Sequence, residues 1–310
     1  MNNIHVIVII CHRMTEALKH SINEVESSST SKAIVHVDKK TDIKPFLFIK
    51  ELKNVELIND RVSVHWGDVS QIKCMLNCLM YARGKHKFKY VSLISGDDVF
   101  YRGLDCFNEF LKVGGSIEYI GVTSFSGVNK HEENRYLYRY PSFFYIRNPS
   151  VLTRIKKSLV RNLFKLGFFK NKSKCPFEVM YKGSNWFTMS YSCLEYVLSY
   201  LEINPSYISY FDNSYCCDEI FFQSIVYNSS YREMTLSVIN NSIDDNLMSL
   251  RQIDWVSGPD FPKVYSRKDL AKLPVTNTFV IRKISEDIVF KELQTFFWDK
   301  NVRKKDKSCH

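Results

Sequence analysis

The chain has 310 residues, 45% of them hydrophobic and 25% charged; that composition excludes a disordered or fibrous protein, and the length holds one large domain or two smaller ones with a full core. Its 43 Lys and Arg outnumber 33 Asp and Glu, for a formal net charge of +10. This excess calls for an anionic partner without choosing among nucleic acid, a phosphorylated substrate and a membrane surface.

Residues 4–10 (IHVIVII) form an apolar run too short to span a bilayer, and Met1 is followed by two Asn rather than a basic region. No later stretch reaches about 18 apolar residues without a charge. The nine cysteines are scattered and odd in number, which fits reduced thiols. The expectation is a cytoplasmic protein without an export signal. Cys74 and Cys78 stand one helical turn apart and are either a metal-binding pair or thiols packed in a core.

The first hundred residues alternate strand and helix patterns. Residues 4–10 read as a buried strand, 15–25 as a helix, 33–37 (AIVHV) as a second strand ending at Asp38, and 43–52 as a helix. A short strand near 55–58, a turn at Asn59-Asp60 and a strand over 62–65 follow. Residues 69–83 carry Ile72, Met75, Leu76, Leu79 and Met80 at helical spacing, and YVSLI at 90–94 is a buried strand running into SGDD. This βαβ rhythm predicts an α/β fold with a central, mostly parallel sheet flanked by helices. In such sheets ligands sit beyond the carboxyl ends of the strands. Cys11-His12, Asp38 and Asp97-Asp98 are therefore expected to converge on one cleft.

The second half is less regular. Residues 134–147 are rich in Tyr and Phe and read as strands or an aromatic wall. Residues 154–174 hold eight basic residues and no acidic one, with Leu152, Ile155, Leu159, Leu163 and Leu166 on one helical face and a stop at Gly167. The segment reads as a basic amphipathic helix. Helices are also expected over 191–201, 218–227 and 286–297, with a basic polar tail over 300–310. No repeat or linker divides residues 1–299, so they read as one domain. Most of the +10 sits in the 154–174 segment and the tail, which leaves the remainder nearly neutral.

Several groups could carry chemistry. Asp97-Asp98 either holds a divalent cation against a nucleotide diphosphate or caps a turn. Asp218-Glu219 opens an apolar helix, where acidic residues also simply complement the helix dipole. Lys263, Arg267, Lys268, Arg282 and Lys283 either clamp phosphate oxygens or form a solvated basic surface.

Six blocks, taken in series, resemble a family. They are HVIVIICHRM with IVHVDKKT; VSVHWGDVSQIKCMLNCLMYA; KYVSLISGDDVFYRGLDCFNEFL; KGSNWFTMSYSCLEYVL; CCDEIFFQSIV; and LRQIDW followed by FVIRKI. Together they are similar to the core-2/I-branching β-1,6-N-acetylglucosaminyltransferases and peptide xylosyltransferases, glycosyltransferase family 14, in a bacterial-type form. The resemblance implies a GT-A-type inverting glycosyltransferase that uses a UDP-sugar and needs no metal or other cofactor.

By position it makes Glu219 the catalytic base and Lys283, beside Arg282, a ligand of the diphosphate. A second cation would come from Lys263, Arg267 or Lys268. Asp38 falls on the nucleoside side, Asp98 near the donor, and Ser184 and Trp186 on the acceptor side. FVIRKI lacks the family's final aromatic, and Asp68 stands where bacterial relatives often have a small residue.

The expected partners are a UDP-sugar, of N-acetylglucosamine or xylose type, and a glycan or lipid-linked glycan acceptor in capsule or O-antigen synthesis. Peripheral contact with the inner face of the plasma membrane through residues 154–174 is also expected, and no nucleic acid. The alternatives are a metal-dependent transferase using Asp97 and Asp98, or a non-catalytic protein that binds anionic membranes or nucleic acid.

Overall fold

A computed structural model describes residues 4–259, 261–273 and 276–305, with side chains described up to Phe297. Four parallel strands build the centre: β1 (His5–Cys11), β2 (Ser31–Val37), β3 (Val55–Leu57) and β4 (Tyr90–Ser95). Two further strands follow in the chain, β5 (Val99–Phe100) and β6 (Thr188–Ser190). β6 joins the main sheet antiparallel to β4, giving the order β3-β2-β1-β4-β6.

β7 (Arg251–Ile253) and β8 (Val280–Arg282) form with β5 a second sheet, ordered β5-β8-β7. The fold is thus mixed α/β with a mostly parallel central sheet between helices. β1 is buried along almost its whole length because helices cover both faces. Val6 and Val8 pack toward the helices Ser70–Lys85, Tyr191–Ile203 and Asp218–Tyr227, while Ile7 and Ile9 pack toward Glu16–Glu26 and Leu104–Val113.

Some expected elements differ. The 43–52 segment is a 3-10 helix, Lys44–Glu51, with Pro45 in its first turn. No strand forms over 62–65. There Val62 gives its backbone N–H to the His36 ring at 2.8 Å and accepts from Lys39 at 3.0 Å, and the chain then turns into the cleft wall at Val64. Residues 134–147 make no strand. They coil through two short turns of helix, Asn134–Leu137 and Ser142–Tyr145, and form an aromatic wall.

The last helix begins at Phe290 rather than 286 and runs to Lys305, five residues beyond the start of the expected tail; residues 306–310 lie outside those described. Cys74 and Cys78 are buried core thiols. No group of three or more metal-ligating side chains is arranged to hold an ion among the described residues. Nor, among them, is any helix long and apolar enough to cross a membrane.

The two sheets are joined by Arg251, which is almost wholly buried. Its guanidinium donates to the carbonyls of Ser249 (2.8 Å), Phe187 (3.1 Å) and Leu93 (3.2 Å), and to Thr188 Oγ1 (3.2 Å). Burial pulls its pKa down to about 10, against the pull of Asp98. One side chain from β7 thereby fixes the second sheet against β4 and β6.

Candidate active site

A cleft of about 930 Å³ opens at the carboxyl ends of β1, β2 and β4, where an open parallel sheet presents its loops. Cys11, His12 and Arg13 enter it after β1, Asp38 and Lys40 after β2, and Ser95 to Asp97 after β4. The opposite wall comes from residues 183–186 and from the start of the helix Asp218–Tyr227.

One end of the cleft is cationic. Asp97 accepts from Arg13 at 2.8 Å and faces Lys283 Nζ at 3.2 Å. Arg13 also reaches Glu286 at 2.6 Å. Arg282, at the end of β8, lies with its guanidinium 4.5 Å from the centre of the Trp186 ring and 2.9 Å from Asp98. Asp38 is buried at the rim, where its two oxygens accept from the backbone N–H (2.9 Å) and Nζ (3.0 Å) of Lys40.

Asp98 differs from what its position in the S-G-x-D block implied. It is fully buried and does not line the cleft. Oδ2 accepts from Ser95 N–H at 2.7 Å, and Oδ1 accepts from Ser95 Oγ at 2.8 Å and from Arg282. Burial pushes its carboxyl up, although Arg282 and the Ser95 bonds pull the other way. Asp98 holds the turn and aims Arg282, while Asp97 is the carboxylate that meets the cavity.

The other end holds Glu219. Its Oε2 accepts from Arg135 Nη1 at 2.6 Å, with Lys182 Nζ at 3.9 Å. Among the described residues no group bonds Oε1. Lys182 in turn pairs with Glu132 at 2.9 Å, so two cations and two carboxylates interlock. Burial lowers the Arg135 guanidinium, but the adjoining Glu219, with Cys216 and Glu132, more than offsets it and the net shift is upward.

Asp218, the residue before it, also lines the cleft but is nearly buried, and accepts from Asn185 (2.6 Å) and Gln71 (3.3 Å). Burial first, then the charge of Glu219, push its carboxyl upward. The helix places the two carboxylates differently. Glu219 faces the cleft, and Asp218 ties the helix start to the neighbouring wall.

That wall requires glycine at 183. A Cβ on Gly183 would collide with the Gly121 carbonyl oxygen, and one on Gly121 would collide with the Asp245 carbonyl. Gly183 N–H donates to the Glu219 carbonyl at 2.9 Å, which fixes the height of the base relative to the next residues. Ser184 follows, buried, with its carbonyl taken by Gln223 at 2.6 Å, and Trp186 lies half-buried against Arg282.

Of the positions singled out in the sequence, Cys11, His12, Asp38, Asp97, Ser184, Trp186, Asp218, Glu219, Arg282 and Lys283 line this one cleft. Lys263, Arg267 and Lys268 do not. Lys263 is held by Asp269 at 2.7 Å, Arg267 is held by Asp287 and Glu292 at 2.7 Å each, and Lys268 is exposed on the short helix Arg267–Ala271. Local carboxylates turn the first two away from the cavity. Its unassigned cations are instead Arg13, Lys40, Arg135, Arg147 and Lys182. Three had a sequence signal, since Arg13 and Lys40 lie within HVIVIICHRM and IVHVDKKT and Lys182 immediately precedes G-S-N-W.

The model of the family described as Core-2/I-Branching enzyme matches residues 25–278. The chain belongs to that family. It is a glycosyltransferase, and the family implies a sugar-nucleotide donor and a glycan acceptor. The matched stretch includes Asp38, Ser184, Trp186 and Glu219, and ends just before Arg282-Lys283. No curated protein matches the chain.

Proposed function

We propose that this core-2/I-branching family member is an inverting transferase that moves a sugar from UDP to a glycan hydroxyl, with Glu219 as the base and no required metal. The observation that carries the reading is Glu219 itself. One carboxylate oxygen is fixed by Arg135, the other has no protein partner among the described residues, and both stand in a cleft whose far end is cationic. Inversion needs one base to take the acceptor proton as the new glycosidic bond forms and the bond to the diphosphate breaks.

The leaving UDP gains negative charge, and fixed cations in a closed site stabilise it. Lys283 and Arg13 fill that role here, since both already face an anion, Asp97. Metal independence is supported by the engagement of both Asp98 oxygens within the protein and the pairing of Asp97 with two cations. The donor on this reading is a UDP-sugar of N-acetylglucosamine or xylose type, and the product a capsule or O-antigen glycan. Among the described residues no cysteine is in a disulfide, which supports a reducing, cytoplasmic setting.

Transfer from UDP-sugars assayed in EDTA tests this directly. Glu219→Gln is expected to abolish transfer while UDP still raises the melting temperature. Full activity in that variant removes the base assignment. Activity lost in chelator and restored by Mn²⁺ favours a metal-dependent enzyme instead.

A further inference from the structure

The basic helix Val151–Lys165 turns its apolar stripe away from the protein. Leu152, Ile155, Leu159 and Leu166 are 61, 52, 59 and 74% exposed, and Phe168 beyond the helix is 56% exposed. At about 100° per residue the four aliphatic side chains fall within an arc of about 60°. The face that packs is a different one. Phe164 is buried, stacks on Tyr138 with ring centres 4.5 Å apart, and meets Tyr140 edge-on at 5.0 Å.

The stripe is bordered by Lys156 on one side and by Arg154 and Lys165 on the other, and is followed by Lys170, Lys172 and Lys174, with no acidic residue over 154–174. An uncovered aliphatic stripe within a field of one sign matches an anionic bilayer, where acyl chains take the side chains and headgroups take the charges. A nucleic acid offers the phosphates but nothing for four aliphatic side chains.

The same helix is joined to the cleft. Tyr140 stacks on Tyr215 at 5.2 Å between ring centres, and Tyr215 lines the cavity and donates its backbone N–H to the carbonyl of Arg135, the partner of Glu219. One aromatic layer therefore separates the uncovered helix from the mouth of the site.

We propose that the protein docks on an anionic lipid surface through Leu152, Ile155, Leu159 and Leu166, and that its glycan acceptor is carried on a lipid in that surface. The second clause rests on the proposed transferase reading; the docking itself does not.

Flotation of the full chain with phosphatidylcholine vesicles, with and without phosphatidylglycerol, tests it. Binding is expected to rise about tenfold or more with the anionic lipid and to fall with salt. Ile155→Asp with Leu159→Asp removes exposed side chains only, and is expected to lower binding about tenfold or more. Lys156→Ala and Lys165→Ala are each expected to lower it about fivefold. The melting temperature and its UDP-induced rise should be unchanged in all of these variants.

The proposal fails if phosphatidylglycerol makes no difference, if the double aspartate variant floats like the wild type, or if the chain binds duplex DNA or RNA while ignoring vesicles. A chain that floats but shows no UDP response upholds the docking and removes the proposed UDP-sugar reading.

Discussion

Asp98→Asn separates a structural aspartate from a donor-binding one. The carboxylate is fully buried and takes three bonds, from Ser95 N–H at 2.7 Å, Ser95 Oγ at 2.8 Å and Arg282 at 2.9 Å. Asparagine that keeps its oxygen on the backbone N–H turns its NH₂ toward both Ser95 Oγ and Arg282, which share Oδ1. Removing one partner of a buried ion pair costs about 3–5 kcal/mol. Two features place this case near the lower end. The Arg282 side chain retains 19% exposure, so water takes up part of its charge. Burial also pushes the Asp98 carboxyl upward, so a neutral side chain escapes part of that cost.

The expected loss is about 3 kcal/mol. An unfolding entropy of about 2.1 cal/mol/K per residue, taken over the chain, converts this to a fall of about 5 °C in Tm. Calorimetry near neutral pH reads it. Adding Arg282→Met to Asp98→Asn removes the stranded cation and should recover about half of the loss, because deleting a whole buried pair is far cheaper than deleting half of it. A single variant within 1 °C of wild type, or a double variant whose losses simply add, refutes the reasoning.

Three other outcomes follow from the same geometry. Asp97→Asn frees Arg13 and Lys283 from a competing anion and should tighten UDP binding about fivefold by calorimetric titration, for a gain of about 1 kcal/mol; loss of binding instead would mean that Asp97 itself holds the donor, directly or through a metal. Gly183→Ala forces backbone apart at Gly121 beside the base and should destabilise the protein by about 2–4 kcal/mol in urea unfolding, an estimate that a neutral result would overturn. Burial lowers the His5 pKa to about 4, so between about 6.5 and 4 the unfolded chain binds the extra proton and stability contributed by neutral His5 is lost as pH falls. The deficit of His5→Gln against wild type should therefore shrink by about 2 kcal/mol between pH 8 and 5, and a deficit independent of pH would refute the linkage.

The parallel half of the fold was legible because strands covered on both faces must be continuous apolar runs, and IHVIVII, AIVHV and YVSLI stand out between helical patterns. The strand-end carboxylates were legible for the same topological reason. The 62–65 segment misled because its V-S-V-H alternation is a strand pattern, yet the His36 ring, rather than a neighbouring strand, receives its N–H at Val62. The basic cluster near 263–268 misled because carboxylates claim it: Asp269, on the short helix Arg267–Ala271, takes Lys263, and Asp287 and Glu292, before and in the first turn of the last helix, take Arg267. Arg135 was missed because it sits among tyrosines, with its partner 84 positions away in the sequence. The heptad-like stripe at 152–166 showed that a helix was amphipathic, but not which of its faces the aromatic wall would cover.

The contact between Arg282 and Trp186 joins the two ends of the cleft through a single guanidinium over a single ring. If a sugar acceptor packs against that tryptophan while a diphosphate draws on the neighbouring cations, neither substrate binds in ignorance of the other. Whatever factor the acceptor imposes on donor affinity, the donor imposes on acceptor affinity. Cooperation between the two substrates is then set by one movable contact, and the order in which they arrive becomes a property of the tryptophan's position.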